Sequence, residues 1–334
     1  MKGVTRCPAL GEFGLIERYF RRPVRRAALG GGDDCALLRP RAGYELAVSS
    51  DMLVAGRHFF DDVDPFRLGH KALAVNLSDL AACGAQPLAF TLAIALPEAR
   101  EAWLAPLADG IAALADATDC DWIGGDTTKG PLNLCVTVFG DIPLAEGCSQ
   151  ALLRSGARAG DTVYVSGTLG DARLALEALQ GKRELPAQVL RWARDRLEMP
   201  PPRGLGRGIA WRCDCGHRSE RRIGRRSGPH PGGIGVGAVI DVDAVAARVG
   251  IRTVFPEWVQ PLLQWREWAL SGGDDYELLF TAPPACAASV TQAAAVAQTP
   301  VFPIGRIEAE PGVRWVDSDG RAVLHHHDSY DHFA

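Results

Sequence analysis

Five short segments set an aspartate beside glycine, serine or threonine: Gly32-Asp33-Asp34, Ser49-Ser50-Asp51, Asn76-Leu77-Ser78-Asp79, Gly124-Gly125-Asp126-Thr127-Thr128 and Ser271-Gly272-Gly273-Asp274-Asp275. Singly, each has the composition that turns prefer. Asp79 stands apart. It lies in the apolar run Ala72-Leu73-Ala74-Val75-Asn76-Leu77-Ser78-Asp79-Leu80-Ala81-Ala82, where helical spacing puts Asn76 and Asp79 on one face. A carboxylate in such surroundings needs a cation or a strong hydrogen-bond partner. Gathered together, carboxylates of this kind bind hard divalent cations. Mg²⁺ uses few of them and fills its shell with phosphate oxygens and water. Metal-bridged phosphates are what phosphoryl transfer requires. No G-x-x-x-x-G-K-[ST], H-R-D or D-F-G occurs, so any ATP chemistry here uses neither a P-loop nor a protein-kinase architecture.

These residues need elements to hold them. Residues 11–19 pattern as a short amphipathic helix, followed by an Arg-rich loop, and residues 46–50 alternate as a strand. Asp64-Pro65 supplies a cap and a first-turn proline for a helix through Leu68, Ala72 and Leu73 to Leu80, ending near Gly84. Residues 91–96 form an apolar run of strand length, 102–117 read helical, and 133–140 alternate as a strand. Past a boundary near 143–147, residues 160–165 open a second set. A Gly-rich turn at 166–170, a helix through Leu174 and Leu179, and strands at 276–281 and 301–307 follow. Strands and helices mix in both halves. The expected fold is therefore α/β (α+β), with two domains, residues 1–146 and 147–334.

Composition narrows the function classes. The 334 residues are 47% hydrophobic and 23% charged, as in ordinary globular proteins, and too many for one common core. A net charge of −4 gives no basic field for nucleic acid or an anionic membrane. No apolar stretch reaches the roughly 20 residues of a membrane helix, and the N-terminus lacks the apolar core of a secretory signal. Nine scattered cysteines, an odd number, read as reduced thiols of a cytoplasmic protein. The run His325-His326-His327 reads as an exposed loop.

The order and spelling of the motifs resemble the thiamine-monophosphate kinase family. The matching segments are Gly11-Glu12-Phe13, Gly32-Asp33-Asp34-Cys35-Ala36, Leu53-Val54-Ala55-Gly56-Arg57-His58-Phe59, the run from Lys71 to Ala82, Gly124-Gly125-Asp126-Thr127-Thr128, Arg154-Ser155-Gly156, Gly272-Gly273-Asp274-Asp275-Tyr276-Glu277 and Tyr330-Asp331-His332-Phe333. The resemblance implies the two-domain fold of the aminoimidazole-ribonucleotide synthetase-like superfamily, with mixed sheets, flanking helices and a homodimer formed through the N-terminal domains. It implies transfer of the γ-phosphoryl of ATP to thiamine monophosphate, giving thiamine diphosphate. Several Mg²⁺ ions would sit on Asp34, Ser49, Ser50, Asp51, Asp79 and Asp126. Gly125, Asp126 and Arg154 would meet the nucleotide, and His58, Asp274 and Tyr330 the thiamine monophosphate. No protein nucleophile or base is implied. By type alone His58 reads as structural, Tyr330 as a packing anchor and Arg154 as a surface residue; only the resemblance lifts them. Two departures are small: Gly31 replaces the usual aliphatic residue, and Asp274 a usual Glu.

One segment departs more. The family carries a second-domain motif, Ile-Asp-(Val/Leu)-Ser-Asp-Gly-Leu. Residues 204–235 are instead crowded with Arg and Gly and lack helical or strand periodicity. Cys213, Cys215 and His217 raise a zinc reading, but the spacing is unusual and no fourth ligand is evident. The genetic code accounts for the stretch better. Codons for His217-Arg218-Ser219-Glu220-Arg221-Arg222-Ile223, read one nucleotide later, permit Ile-Asp-Leu-Ser-Asp-Gly-Leu, and normal register returns by Val236. Compensating frameshifts put Arg218 and Arg221 where carboxylates belong and remove a helix. The expectation is an impaired kinase, with two alternatives: an inactive nucleotide-binding remnant, or a related superfamily synthetase.

Overall fold

The computed structural model describes residues 11–202 and 235–324, and the backbone of 215–218. Packing divides the chain into two compact units. One is Met1–Ala42, Val48–Asn76 and Pro87–Asp141; the other is Gly43–Ala47, Leu77–Gln86 and Ile142–Ala334.

In the first half of the chain, α1 (Glu12–Leu15) runs into a single π turn at Ile16–Phe20. Strand β1 (Tyr44–Val54) precedes α2 (Pro65–Ala82). The expected start of α2 is present: Asp64 Oδ1 accepts from the Arg67 N–H at 3.2 Å. Its end is closed by Gly84, at φ +75°, with the Ala85 N–H donating to Leu80 and the Gly84 N–H to Ala81. Strand β2 (Gln86–Leu96), helix α3 (Glu101–Ala117), and strands β3 (Asp121–Lys129), β4 (Asn133–Ala145) and β5 (Cys148–Ser149) complete the set. The sheet order is β1-β4-β2-β3, with β5 against β4, and β2 and β3 run parallel. Trp122 of β3 lies between Phe20 and Phe90, with ring centroids 5.6 and 5.4 Å away.

The second half begins with β6 (Thr162–Ser166), α4 (Asp171–Leu179) and α5 (Ala187–Glu198). It continues through β7 (Cys215–Arg218), β8 (Gly237–Asp241), α6 (Val242–Ala246), α7 (Gly250–Val254) and α8 (Leu262–Ser271). Then come β9 (Leu278–Ala282), α9 (Ala287–Val296), β10 (Val301–Glu308) and β11 (Gly312–Val316). The sheet order is β11-β8-β10-β6-β9-β7. Its faces follow the two-residue period of a strand. Val163 and Val165 pack with Leu174, Val189, Ile240, Trp265 and Trp268. Tyr164, between them in sequence, packs oppositely with Phe280, Val290 and Ala293.

Sequence periodicity gave no strand within 204–235, yet β7 lies there, antiparallel to β9 with Cys215 opposite Thr281 and Arg218 opposite Leu278. A backbone ladder needs only N–H and C=O groups, so an edge strand can form without an alternating side-chain pattern. The rest of that stretch lies outside the described residues, as do Cys213, Arg221, His325 to His327 and Tyr330. No helix among the described residues is long and apolar enough to cross a membrane.

Candidate functional site

In the first unit, β3 and its parallel neighbour set Gly125 opposite Leu92 and Asp126 opposite Ala93. A Cβ at Gly125 would lie 1.8 Å from the Leu92 carbonyl oxygen, and its φ of +156° disfavours other residues too. Glycine is thus required, and it leaves bare backbone beside the exposed Asp126 carboxylate. The loop carrying Asp34 approaches the same strand, since a Cβ at Gly31 would lie 3.7 Å from both Ile123 O and Gly124 Cα. Asp34 is exposed.

Ser49, Ser50 and Asp51 lie in β1. Ser50 Oγ donates to the Val136 carbonyl at 3.2 Å and lies 3.0 Å from Thr137 Oγ1. The Asp51 N–H donates to Asn76 Oδ1 at 2.9 Å, and Asn76 Nδ2 donates to the Ala72 carbonyl at 2.9 Å. Asn76 is buried and fixes the backbone of Asp51, whose side chain is half-buried. His58 Nδ1 accepts from the Val54 N–H at 3.0 Å, so in this geometry the ring proton is on Nε2.

The Arg-rich loop is anchored by a residue that sequence reasoning missed. Asp121 is buried and accepts from the N–H groups of Arg25, Arg26 and Ala27 at 2.6 to 3.1 Å. Burial alone would raise its pKa. The three backbone donors and the Arg25 charge outweigh it and hold the carboxyl below the usual 3.8.

In the second unit, Asp79 is half-buried on α2, Arg154 is exposed, and Asp274 is half-buried after α8. The neighbours of Asp79 and Asp274 meet: Ser78 Oγ donates to the Tyr276 carbonyl at 3.4 Å. Next to Asp274 is a buried knot of charge. Asp275 accepts from the Gly170 and Ala172 N–H groups at 2.8 and 3.1 Å. Glu277 accepts from Ser166 Oγ at 2.5 Å and from Arg196 at 2.7 Å. Asp171 accepts from Thr168 Oγ1 and the Gly250 and Ile251 N–H groups. The sequence signal was Glu277 at the start of an apolar strand, where a charge must be paired.

Among the described residues no three His, Cys, Asp or Glu side chains are gathered as a ready metal site. The candidates are all hard oxygen donors. That suits a cation which completes its shell with phosphate and water.

Known proteins carry the same pattern. Residues 32–142 match the family model "AIR synthase related protein, N-terminal domain". A thiamine-monophosphate kinase of Salmonella typhimurium is 42% identical over 334 residues, covering 98% of this chain and 99% of the relative. The chain belongs to the thiamine-monophosphate kinase family. The crystal structure of the Stenotrophomonas maltophilia K279a thiamine-monophosphate kinase, 40% identical, superposes with a TM-score of 0.77 and covers 94% of this chain and 98% of that one. A solved structure of AaThiL complexed with AMPPCP and TMP is 26% identical, with a TM-score of 0.69 and coverage of 96% and 97%. The expected superfamily fold is therefore present.

Proposed function

We propose that this chain transfers the γ-phosphoryl of ATP directly to the phosphate of thiamine monophosphate, yielding thiamine diphosphate. One observation carries the reading. The Gly124-Gly125-Asp126 strand offers side-chain-free backbone next to an exposed carboxylate, in a chain 42% identical along 98% of its length to a kinase of that name.

Residues 1–146 would form the nucleotide domain and 147–334 the second. Asp34, Ser49, Ser50, Asp51, Asp79 and Asp126 would hold Mg²⁺, whose chemistry is to neutralise phosphate charge and orient phosphate oxygens. Gly125 admits the nucleotide phosphates close to the backbone, and Arg154 pairs with them. His58, Asp274 and Tyr330 bind the acceptor. An acceptor phosphate oxygen is already a competent nucleophile, so the side chains position groups and no protein base takes part.

The same reading makes the enzyme a cytoplasmic homodimer. Leu46, Val48 and Met52 expose apolar side chains along β1, an end strand of its sheet, which suits contact with a second copy. Arg218 and Arg221, standing where the family motif has carboxylates, lower turnover by repelling Mg²⁺. They also favour a second reading, a remnant that binds nucleotide without turning over.

The test is ATP-dependent formation of thiamine diphosphate by the full chain and by Asp126→Asn. We expect Asp126→Asn to lose turnover while melting like the parent. An unchanged rate at saturating Mg²⁺ would overturn the proposal, and nucleotide binding without any turnover in the parent would establish the remnant.

A further inference from the structure

Ser78 and Tyr276 are 198 residues apart, yet both are buried and the Ser78 hydroxyl donates to the Tyr276 carbonyl. Ser78 directly precedes Asp79, and Tyr276 follows Asp274 by two. Tyr276 has φ +53°, the left-handed region that a bulky residue adopts only when its surroundings enforce it. The surroundings do so on both sides. Asp275 is tied to the N-terminus of α4, through the Gly170 and Ala172 N–H groups. Glu277 is tied to Ser166, the Thr168 N–H and Arg196, and the Leu278 N–H donates to Ser166 Oγ at 2.8 Å. Every residue from 275 to 278 is held by a hydrogen bond, and Asp274 is the first residue N-terminal to that clamp.

A strained residue held this firmly aims its carbonyl. Were Tyr276 extended, its peptide would turn away from α2 and Ser78 would lose its acceptor. The strain therefore joins the turn of α2 that bears Asp79 to the segment that bears Asp274. At 3.4 Å the bond is long, with room to shorten if either side is pulled in.

We propose that Ser78 is a positioning residue that couples Asp79 to Asp274, so that Mg²⁺-nucleotide held by the one and thiamine monophosphate held by the other strengthen each other's binding. The inference rests on the roles given to Asp79 and Asp274 under Proposed function. Coupling of this kind is reciprocal, and 5- to 150-fold effects, roughly, are typical.

The experiment is titration calorimetry of thiamine monophosphate into the full chain, with and without Mg²⁺ and AMPPCP, for the parent, Ser78→Ala and Ser78→Thr. AMPPCP is not turned over, so the readout does not depend on catalytic rate. We expect the nucleotide to raise affinity at least about fivefold in the parent and Ser78→Thr. In Ser78→Ala the gain should fall below about twofold, while each ligand alone binds within about twofold of the parent. Full coupling in Ser78→Ala overturns the inference, as does no coupling in the parent. So does equal loss of both separate affinities, which marks a merely structural role. Asp79→Asn and Asp274→Ala tell the two levels apart. If either leaves its own ligand's affinity unchanged, or if the parent binds neither ligand, the site assignment fails and the coupling falls with it.

Discussion

Asn76 holds the backbone of Asp51 through one amide atom and the carbonyl of Ala72, one helical turn back, through the other. A single buried amide thus satisfies a strand and a helix at once. Asn76→Ala leaves the Asp51 N–H and the space around it without a partner, which costs about 1–3 kcal/mol. We expect a denaturant midpoint lowered by that amount and weakened Mg²⁺-nucleotide binding. Parent-like binding would show that Asp51 is not placed by this bond.

Gly124 and Gly125 are neighbours with nearly the same φ, +154° and +156°, but different surroundings. A Cβ at Gly124 meets nothing within 4 Å, whereas one at Gly125 meets the Leu92 carbonyl at 1.8 Å. Gly124→Ala should fold with a loss of about 1–3 kcal/mol from backbone strain alone. Gly125→Ala should break the β2–β3 pairing and fail to accumulate as soluble protein. Comparing soluble yield and melting of the two variants checks the contrast.

Asp121 makes the first unit acid-sensitive. Its folded pKa lies below 3.8, so its contribution is complete above that value and is lost as pH falls through the folded pKa. Asp121→Asn should be less stable near neutral pH, with a shallower loss on acidification. Parallel stability curves for parent and variant would refute this.

Asp275 has the opposite sign. Burial, then the nearby Asp171, push its carboxyl up to about 7 against the Gly170 and Ala172 N–H groups and Arg196. Its folded pKa exceeds the usual 3.8, so its contribution is complete below 3.8 and is lost as pH rises through about 7. Asp275→Asn should flatten the decline of stability between about pH 4 and pH 8, read by chemical denaturation across that range.

Repair of the anomalous stretch tests the frameshift reading. Recoding it so that 217–223 read Ile-Asp-Leu-Ser-Asp-Gly-Leu should raise the melting temperature and increase turnover at least about tenfold, about 1.4 kcal/mol of barrier. Equal rates before and after repair would show that Arg218 and Arg221 impair nothing.

Much of the scaffold was legible because its signals are local. Asp64-Pro65 marked the start of α2, Gly84 its end, and alternation at 133–140 the core of β4. β1 and β2 each run several residues beyond the segments read as strands. Backbone pairing continues where the alternation fades, over 44–45 and 51–54 in β1 and 86–90 in β2. The π turn at Ile16–Phe20 left no mark in the residue pattern. The long-range ties were illegible for a simple reason. Asp121 and Arg25, Asp275 and Gly170, and Ser78 and Tyr276 pair across about 100 to 200 residues, and periodicity carries no information at that range. Of the candidate site, the residues of the first unit could be named from motif spelling. What fixes their backbones, Asn76 above all, emerged from the geometry.

The strand at the heart of the larger sheet is one of the last to be made. β10 pairs with β6 on one side and β8 on the other, and it spans Val301–Glu308. During synthesis, β6 and β8 therefore wait for a partner while about 60 to 140 residues emerge, at roughly 5–20 residues per second. For several seconds on each ribosome their edges are open to strangers, and a premature stop even a few codons before Val301 would remove β10 and β11 together and strip β8 of both its neighbours in the sheet.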